Sequence, residues 1–397
     1  MDLTGSTLLD SVIALTVVSV VLTVWLWPRL AKRGILWILA RLGMILMSQL
    51  SLVLVAALMI NNYGDFYPTW DDLVGGGNTQ ITFSTDNTGG NTAVSTGDSS
   101  LVVPDPGQVQ GWKPSGPSNV VGQLTSVRVL GKESRLSALA YVYLPPQYFQ
   151  AAYAHKAFPI ITDFTGFPGA IGGLAERLKT PEVVATLERE GKMQPTVLVM
   201  ISQNVASPRD TDCVNVVKGP QVDTFLSSDY QLAIHSAYRI TTDPAGWALT
   251  GVSEGGTCSL QLAMEHPTMF GVVGDLGGDY AQLEDGQSGN LFGPLHSESR
   301  TRLMEQYNLY WRLKNLPAPD IQVLIATTAK EYDYKATEEF LTDVKDPLSV
   351  TTMLLKTGGH NFTTWGLEQD PSLIWMSSRL GGPVALPDTA GQKPTAQ

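Results

Sequence analysis

Two long apolar runs fill most of the first sixty residues, a polar stretch follows, and short apolar runs then alternate with helix-like segments to the C-terminal region. Ser11 to Trp27 carries no charge, and with Leu8 and Leu9 it reaches the ~20 apolar residues that cross a bilayer, with Asp10 at its outer edge. The turn Pro28-Arg29-Leu30-Ala31-Lys32-Arg33 is basic. Gly34 to Ile60 is apolar again except for Arg41, whose long stem can carry its charge back toward that basic face. The pattern predicts an anchor over residues 1–62 with two transmembrane helices, about 8–27 and 36–60. An amphipathic stripe, the mark of helices packed on a soluble core, is missing from both runs.

A cleavable signal peptide needs a basic segment before its apolar run, and the first ten residues hold two aspartates and no lysine or arginine. Basic residues stay on the cytoplasmic side, so the hairpin turn places Met1 and everything after Asn61 outside. The expected location is therefore a multi-pass protein of the cell membrane with its main domain extracytoplasmic.

Residues 63–119 are rich in Gly, Ser, Thr, Asn and Pro, as in Gly75-Gly76-Gly77-Asn78, and read as a flexible linker, with Tyr67 and Trp70 placed to meet the membrane interface. Residues 384–397 read as a disordered tail. Between them, residues 120–383 form one domain with no internal repeat. Apolar runs at 127–130 and 139–144 suggest an opening antiparallel pair. Further strands are expected at 158–162, 196–201, 247–251, 271–275, 321–326 and 351–355, with helical patterns at 181–190 and 257–265 between some of them. Strands alternating with helices predict an α/β fold, a mostly parallel sheet covered on both faces.

Composition adds exclusions. A net charge of −11 with no basic patch argues against binding nucleic acid. No zinc-type ligand cluster appears, and Gly172-Gly173 lacks the lysine of a phosphate-binding loop, so neither metal nor cofactor is expected. The two cysteines, Cys213 and Cys258, are expected to pair as a disulfide in an oxidising compartment; two unrelated buried thiols are the plainer reading.

The candidate chemistry centres on Gly251-Val252-Ser253-Glu254-Gly255, between an apolar run and a helix-like stretch. There Ser253 would stand on a sharp strand-to-helix turn whose glycines leave room for no Cβ, the geometry of a nucleophile elbow. A serine hydroxyl needs a base to take its proton and a carboxylate to orient that base. His360, in Gly358-Gly359-His360-Asn361-Phe362 after the last strand, is the expected base. His155 and His235 precede the serine, His266 sits at a helix end, and His296 lies in a loop where it could border substrate. The acid is expected just after the 321–326 strand. Glu331 is nearer the strand end and Asp333 is the alternative, while Glu338 and Glu339 on the next helix read as solvated. Two oxyanion donors are expected, the backbone N–H groups of Glu254 and of Phe167 in the turn Gly166-Phe167-Pro168-Gly169.

Together with Tyr143-Leu144-Pro145-Pro146-Gln147-Tyr148, Asp212-Cys213 and Glu265-His266-Pro267, these motifs resemble the putative-esterase branch of the α/β-hydrolases over roughly residues 127–382. That branch holds S-formylglutathione hydrolase-like esterases, feruloyl esterases and the actinobacterial mycolyltransferases. The resemblance implies an α/β-hydrolase fold and a serine carboxylic-ester hydrolase or acyltransferase working through an acyl-enzyme. Its partners would be an acyl ester, then water or an alcohol. Thr165 departs from the pattern, since many relatives carry histidine before the oxyanion-loop glycine; substrate fit, not the hydrolytic machinery, is what this touches. The double span is similar to that of envelope members of the branch, which implies a cell-envelope lipid or sugar ester. The competing expectation is a catalytically inactive envelope interaction protein that keeps the fold.

Overall fold

Near-continuous apolar runs make strands buried on both faces, and four of them build the centre of a nine-stranded sheet. The computed structural model describes residues 6–64, 101–107, 109, 111–280, 283, 288–331 and 334–386. It divides into two compact units, Met1–Gly77 and Asn78–Gln397.

The first unit is a helical hairpin, α1 (Ser6–Leu26) and α2 (Ile35–Gly64). Both are long and apolar enough to cross a membrane, with a mean hydropathy of 2.2 over the most apolar window of each. Hydroxyls zip the pair, Thr23 to Ser48 at 3.2 Å and Ser19 to Ser51 at 3.5 Å. Most other side chains are apolar and face outward, such as Leu36 and Leu50. At the turn, Arg29 lies over Trp25, Lys32 over Trp37 and Arg41 over Trp27, so Arg41 does reach back to the basic end.

In the second unit the strands are β1 (Val102–Pro104), β2 (Gln123–Leu130), β3 (Ser137–Leu144), β4 (Lys156–Ala157), β5 (Ile160–Phe164), β6 (Val197–Ile201), β7 (Trp247–Val252), β8 (Val272–Leu276), β9 (Gln322–Thr328), β10 (Ser349–Leu355) and β11 (Val384–Ala385). The main sheet runs β1-β2-β3-β6-β5-β7-β8-β9-β10, and β4 pairs separately with β11. Strands β1 to β3 join antiparallel to one another and to β6; from β6 through β10 every pairing is parallel.

Helices cover both faces. One core unites Phe164 and Leu249 with Tyr230 and Ile234 of α4 (Tyr230–Ala237) and Leu260 of α5 (Glu254–Glu265). Leu309 and Leu313 of α7 (Leu309–Asn315) and Phe340 of α8 (Tyr334–Thr342) join it, with α6 (Glu298–Tyr307) beside them. The opposite core unites Ile161 and Leu276 with Val184 and Leu187 of α3 (Thr180–Arg189) and Trp365, Leu373 and Met376 of α9 (Phe362–Arg379). Successive strand residues serve opposite cores because β side chains alternate.

Two expected boundaries are corrected. Val102–Pro104, assigned to the linker, pairs with Val127–Val129 as the sheet's edge strand, giving the outer backbone groups of that end of β2 a partner. Val384 and Ala385, assigned to the tail, pair with Ala157 and Lys156. Tyr67, Trp70, the glycine-rich runs and residues 387–397 lie outside the described residues.

Candidate active site

The strand-to-helix turn at Ser253 is as tight as its glycines imply. Ser253 sits between β7 and α5 at φ 56°, ψ −131°, a left-handed position that non-glycine residues rarely take. A Cβ at Gly251 would lie 2.6 Å from the Gly255 carbonyl carbon and 2.7 Å from the Phe164 oxygen. One at Gly255 would lie 2.4 Å from the Thr165 oxygen. Backbone therefore packs on backbone, which leaves the strained serine at the carboxyl end of the sheet. The Ser253 amide donates to the Leu276 carbonyl at 2.9 Å, which ties the turn to β8.

His360 arrives from the loop between β10 and α9. Gly358, at φ +139°, has no space for a side chain, because a Cβ would meet Thr364 Oγ1 at 2.8 Å and Thr328 Cγ2 at 2.9 Å. The Gly359 amide donates to Thr364 Oγ1, and Asn361 caps α9 by accepting from the Thr363 and Thr364 amides. The histidine is thus clamped on both sides by bonds to the first turn of α9. Its Nε2 stands 2.8 Å from Ser253 Oγ and its Nδ1 2.9 Å from Glu331 Oε2. Trp365 meets the imidazole edge to face, with ring centroids 5.0 Å apart.

Glu331 follows β9 with its side chain 1% exposed, while the His360 side chain is 28% exposed. The carboxylate is thus dry and the base reachable. Asp333 lies outside the described residues. Glu338 and Glu339 are exposed. Among the other histidines, His266 pairs with Asp223 at 2.7 Å at the far end of α5, His235 lines a separate cavity of about 370 Å³ beside Trp247 and Met269, and His296 is exposed.

The loop after β5 abuts the nucleophile. A Cβ at Gly166 would come within 3.1 Å of Ser253 Cβ and 3.5 Å of its Oγ, so Phe167 follows a residue in contact with the serine. Thr165 is buried, its hydroxyl donating to Gln203 Oε1 at 3.0 Å. Glu254 occupies the first turn of α5, and burial, then the negative charge of Asp210, push its carboxyl well above the usual range.

Cys213 and Cys258 form a disulfide with Cα atoms 5.8 Å apart. It fastens the loop before Asn215 to the second turn of α5, and Gln261 adds a bond to the Asp212 carbonyl. Among the described residues three groups gather three potential metal ligands within 4.8 Å. Other interactions account for each: two cysteines are spent in the disulfide, Glu254 is hydrogen-bonded to Asp210, and Arg312 acts on Glu265 beside the His266–Asp223 pair.

Sequence reasoning did not single out Trp365, Asp275 or Glu368. A helical stripe after His360 carries the signal, since Trp365, Glu368, Ser372 and Met376 recur at intervals of three and four and all are buried.

Comparison with known proteins places the family and the fold. The model of the family Esterase, described as "Putative esterase", matches residues 137–368, more than half of the chain. An uncharacterised protein of Corynebacterium glutamicum is 26% identical over 139 residues, which cover 35% of this chain and 32% of that one. The chain thus spans about a third of that relative's length. Among solved structures, a ferulic acid esterase superposes with a TM-score of 0.55 at 17% identity, covering 66% of this chain and 100% of that one. An S-formylglutathione hydrolase of Agrobacterium tumefaciens gives 0.50 at 14%, covering 68% and 99%. At such identities the likeness speaks for the fold alone, an α/β-hydrolase. The family match goes further: the chain belongs to the esterase family.

Proposed function

We propose that this protein is a membrane-tethered serine esterase or acyltransferase that works outside the membrane through an acyl-enzyme at Ser253. The observation that carries the reading is the hydrogen-bonded line from Ser253 through His360 to Glu331, built on a strained turn. In this mechanism His360 Nε2 takes the Ser253 proton as Oγ attacks an ester carbonyl, and Glu331 holds the ring tautomer and stabilises the imidazolium. The backbone N–H groups of Glu254 and Phe167 receive the oxyanion. Collapse of the tetrahedral adduct breaks the bond to the alcohol, which leaves with the proton from His360. Water or a second alcohol then repeats the steps in reverse and releases the acyl group.

The tether is the pair α1 and α2. Their outward faces are apolar along lengths of about 30 and 45 Å at 1.5 Å per residue, enough to cross a ~30 Å hydrocarbon core. The cations at their turn favour the cytoplasmic side and so leave the catalytic unit outside. An ester of the cell envelope is the substrate class that such a position supports.

A membrane-impermeant fluorophosphonate applied to intact cells tests nucleophile and topology together. The wild-type chain is expected to label and Ser253→Ala not to. Labelling only after lysis would overturn the topology, and equal labelling of both chains would overturn the assignment of the nucleophile.

A further inference from the structure

Helix α9 leads away from His360 and carries a second carboxyl into the interior behind Glu331. Glu368 lies on the buried face of α9, where its neighbours at helical spacing are Trp365 and Ser372. It is 0% exposed, and neither of its carboxyl oxygens has a hydrogen-bond partner among the described residues. Among the described residues, Glu331 Oε1 and Trp365 Nε1 are buried without partners as well. These two atoms converge on Gly277, where a Cβ would lie 3.2 Å from the carboxyl oxygen and 3.1 Å from the indole nitrogen.

The charged groups that act on Glu368 are Glu331, from the loop after β9, and Asp275, from β8; no cation is among them within the described residues. A charge on Glu368 there would be stripped of water and repelled by those two carboxyl groups. Hydrogen-bond donors set Glu368 apart from the other two. Asp275 accepts from the Gly278 amide and from the Tyr280 hydroxyl. Glu331 accepts from His360. Glu368 has no such donor among the described residues. Burial, then the charges of Glu331 and Asp275, push its carboxyl up to about 8.

We propose that Glu368 is a positioning residue for His360: uncharged, it leaves Glu331 the one carboxylate addressing the imidazole, and its ionisation is transmitted through Glu331 to the ring. The kinetic side of this inference rests on the esterase reading, whereas the electrostatic side does not.

The test follows the ring signals of the full chain, isotope-labelled at its five histidines and held in detergent micelles. His360 is assigned by the signal lost in His360→Gln. In the wild type the His360 signal is expected to show an inflection near the Glu368 value of about 8. Glu368→Gln should abolish that inflection and Glu368→Asp should keep one, which also guards against a Gln variant that fails to fold. A purely structural Glu368 would lower the melting temperature on substitution and leave the inflection in place. An inflection that persists in folded Glu368→Gln, or is missing from the wild type, overturns the proposal. Turnover of a chromogenic ester against pH is the second readout, with an inflection expected in the wild type and in Glu368→Asp and none in Glu368→Gln. If the ring signals behave as expected while no ester is cleaved, the esterase reading fails and the role of Glu368 behind Glu331 stands.

Discussion

Ser253, His360 and Glu331 come from three separate loops, yet each is held by a local constraint that can be named. Glycines at 251 and 255 let backbone pack on backbone beneath the serine, Gly358 and the α9 cap clamp the histidine, and burial fixes Glu331. Substituting Glu331 by Gln keeps the size and removes the charge that selects the tautomer. That variant is expected to lower kcat by on the order of 10³- to 10⁴-fold with little change in KM, measured on a chromogenic ester. A loss below about tenfold would remove Glu331 from the mechanism. Ser253 and His360 are legible in sequence because a glycine-flanked serine and a glycine-flanked histidine each carry a backbone reason. The choice between Glu331 and Asp333 is not legible, since both follow one strand. Glu368 escapes for a different cause: a lone glutamate in a helix reads as solvated until the helix face it occupies is known.

At the scale of elements, the position of His360 depends on how α9 begins. Asn361 accepts from two amides of the first turn at 3.0 and 3.1 Å. Truncating it in Asn361→Ala is expected to cost about 1 kcal/mol in a urea melt, the usual worth of an N-cap. It should also lower kcat, because the residue next to His360 loses its anchor. An unchanged urea midpoint would show that the bonds from Gly359 to Thr364 suffice. The parallel strands β5 to β9 are legible as apolar runs of five or more residues. Edge elements are not: β1 and β11 are too short to show a period, and their partners are distant in sequence. Helices α6 and α7 lack a clear apolar stripe for a similar reason, since Tyr307, Leu309 and Leu313 are the only fully buried residues along them.

Over the whole molecule, buried acids set an unusual response to pH. Burial pushes Asp163 up to about 7, Glu188 to about 8, Glu368 to about 8 and Glu265 to about 9. Each binds a proton in the folded state that the unfolded chain has already released above its ordinary value near 4. Their stabilising effect is therefore complete below that value and is lost as pH rises toward 7 to 9. The melting temperature of the catalytic unit is expected to fall between pH 5 and 8.5, measured in low-salt buffers, and Glu368→Gln should flatten part of that slope. A stability that rises across this range would contradict the protonated assignments. Charge and hydropathy also make the division of labour along the chain legible, with an apolar hairpin first and an α/β unit after it.

The central claim is that Ser253 carries the acyl group. It is tested most directly by intact-mass spectrometry of the full chain quenched in acid shortly after mixing with an activated acyl ester, followed by peptide mapping. The account predicts one acyl mass added to the peptide that contains Ser253, formed slowly in His360→Gln and not at all in Ser253→Ala. An acyl group mapped to another residue, or wild-type turnover with no adduct alongside an unimpaired Ser253→Ala, would contradict it.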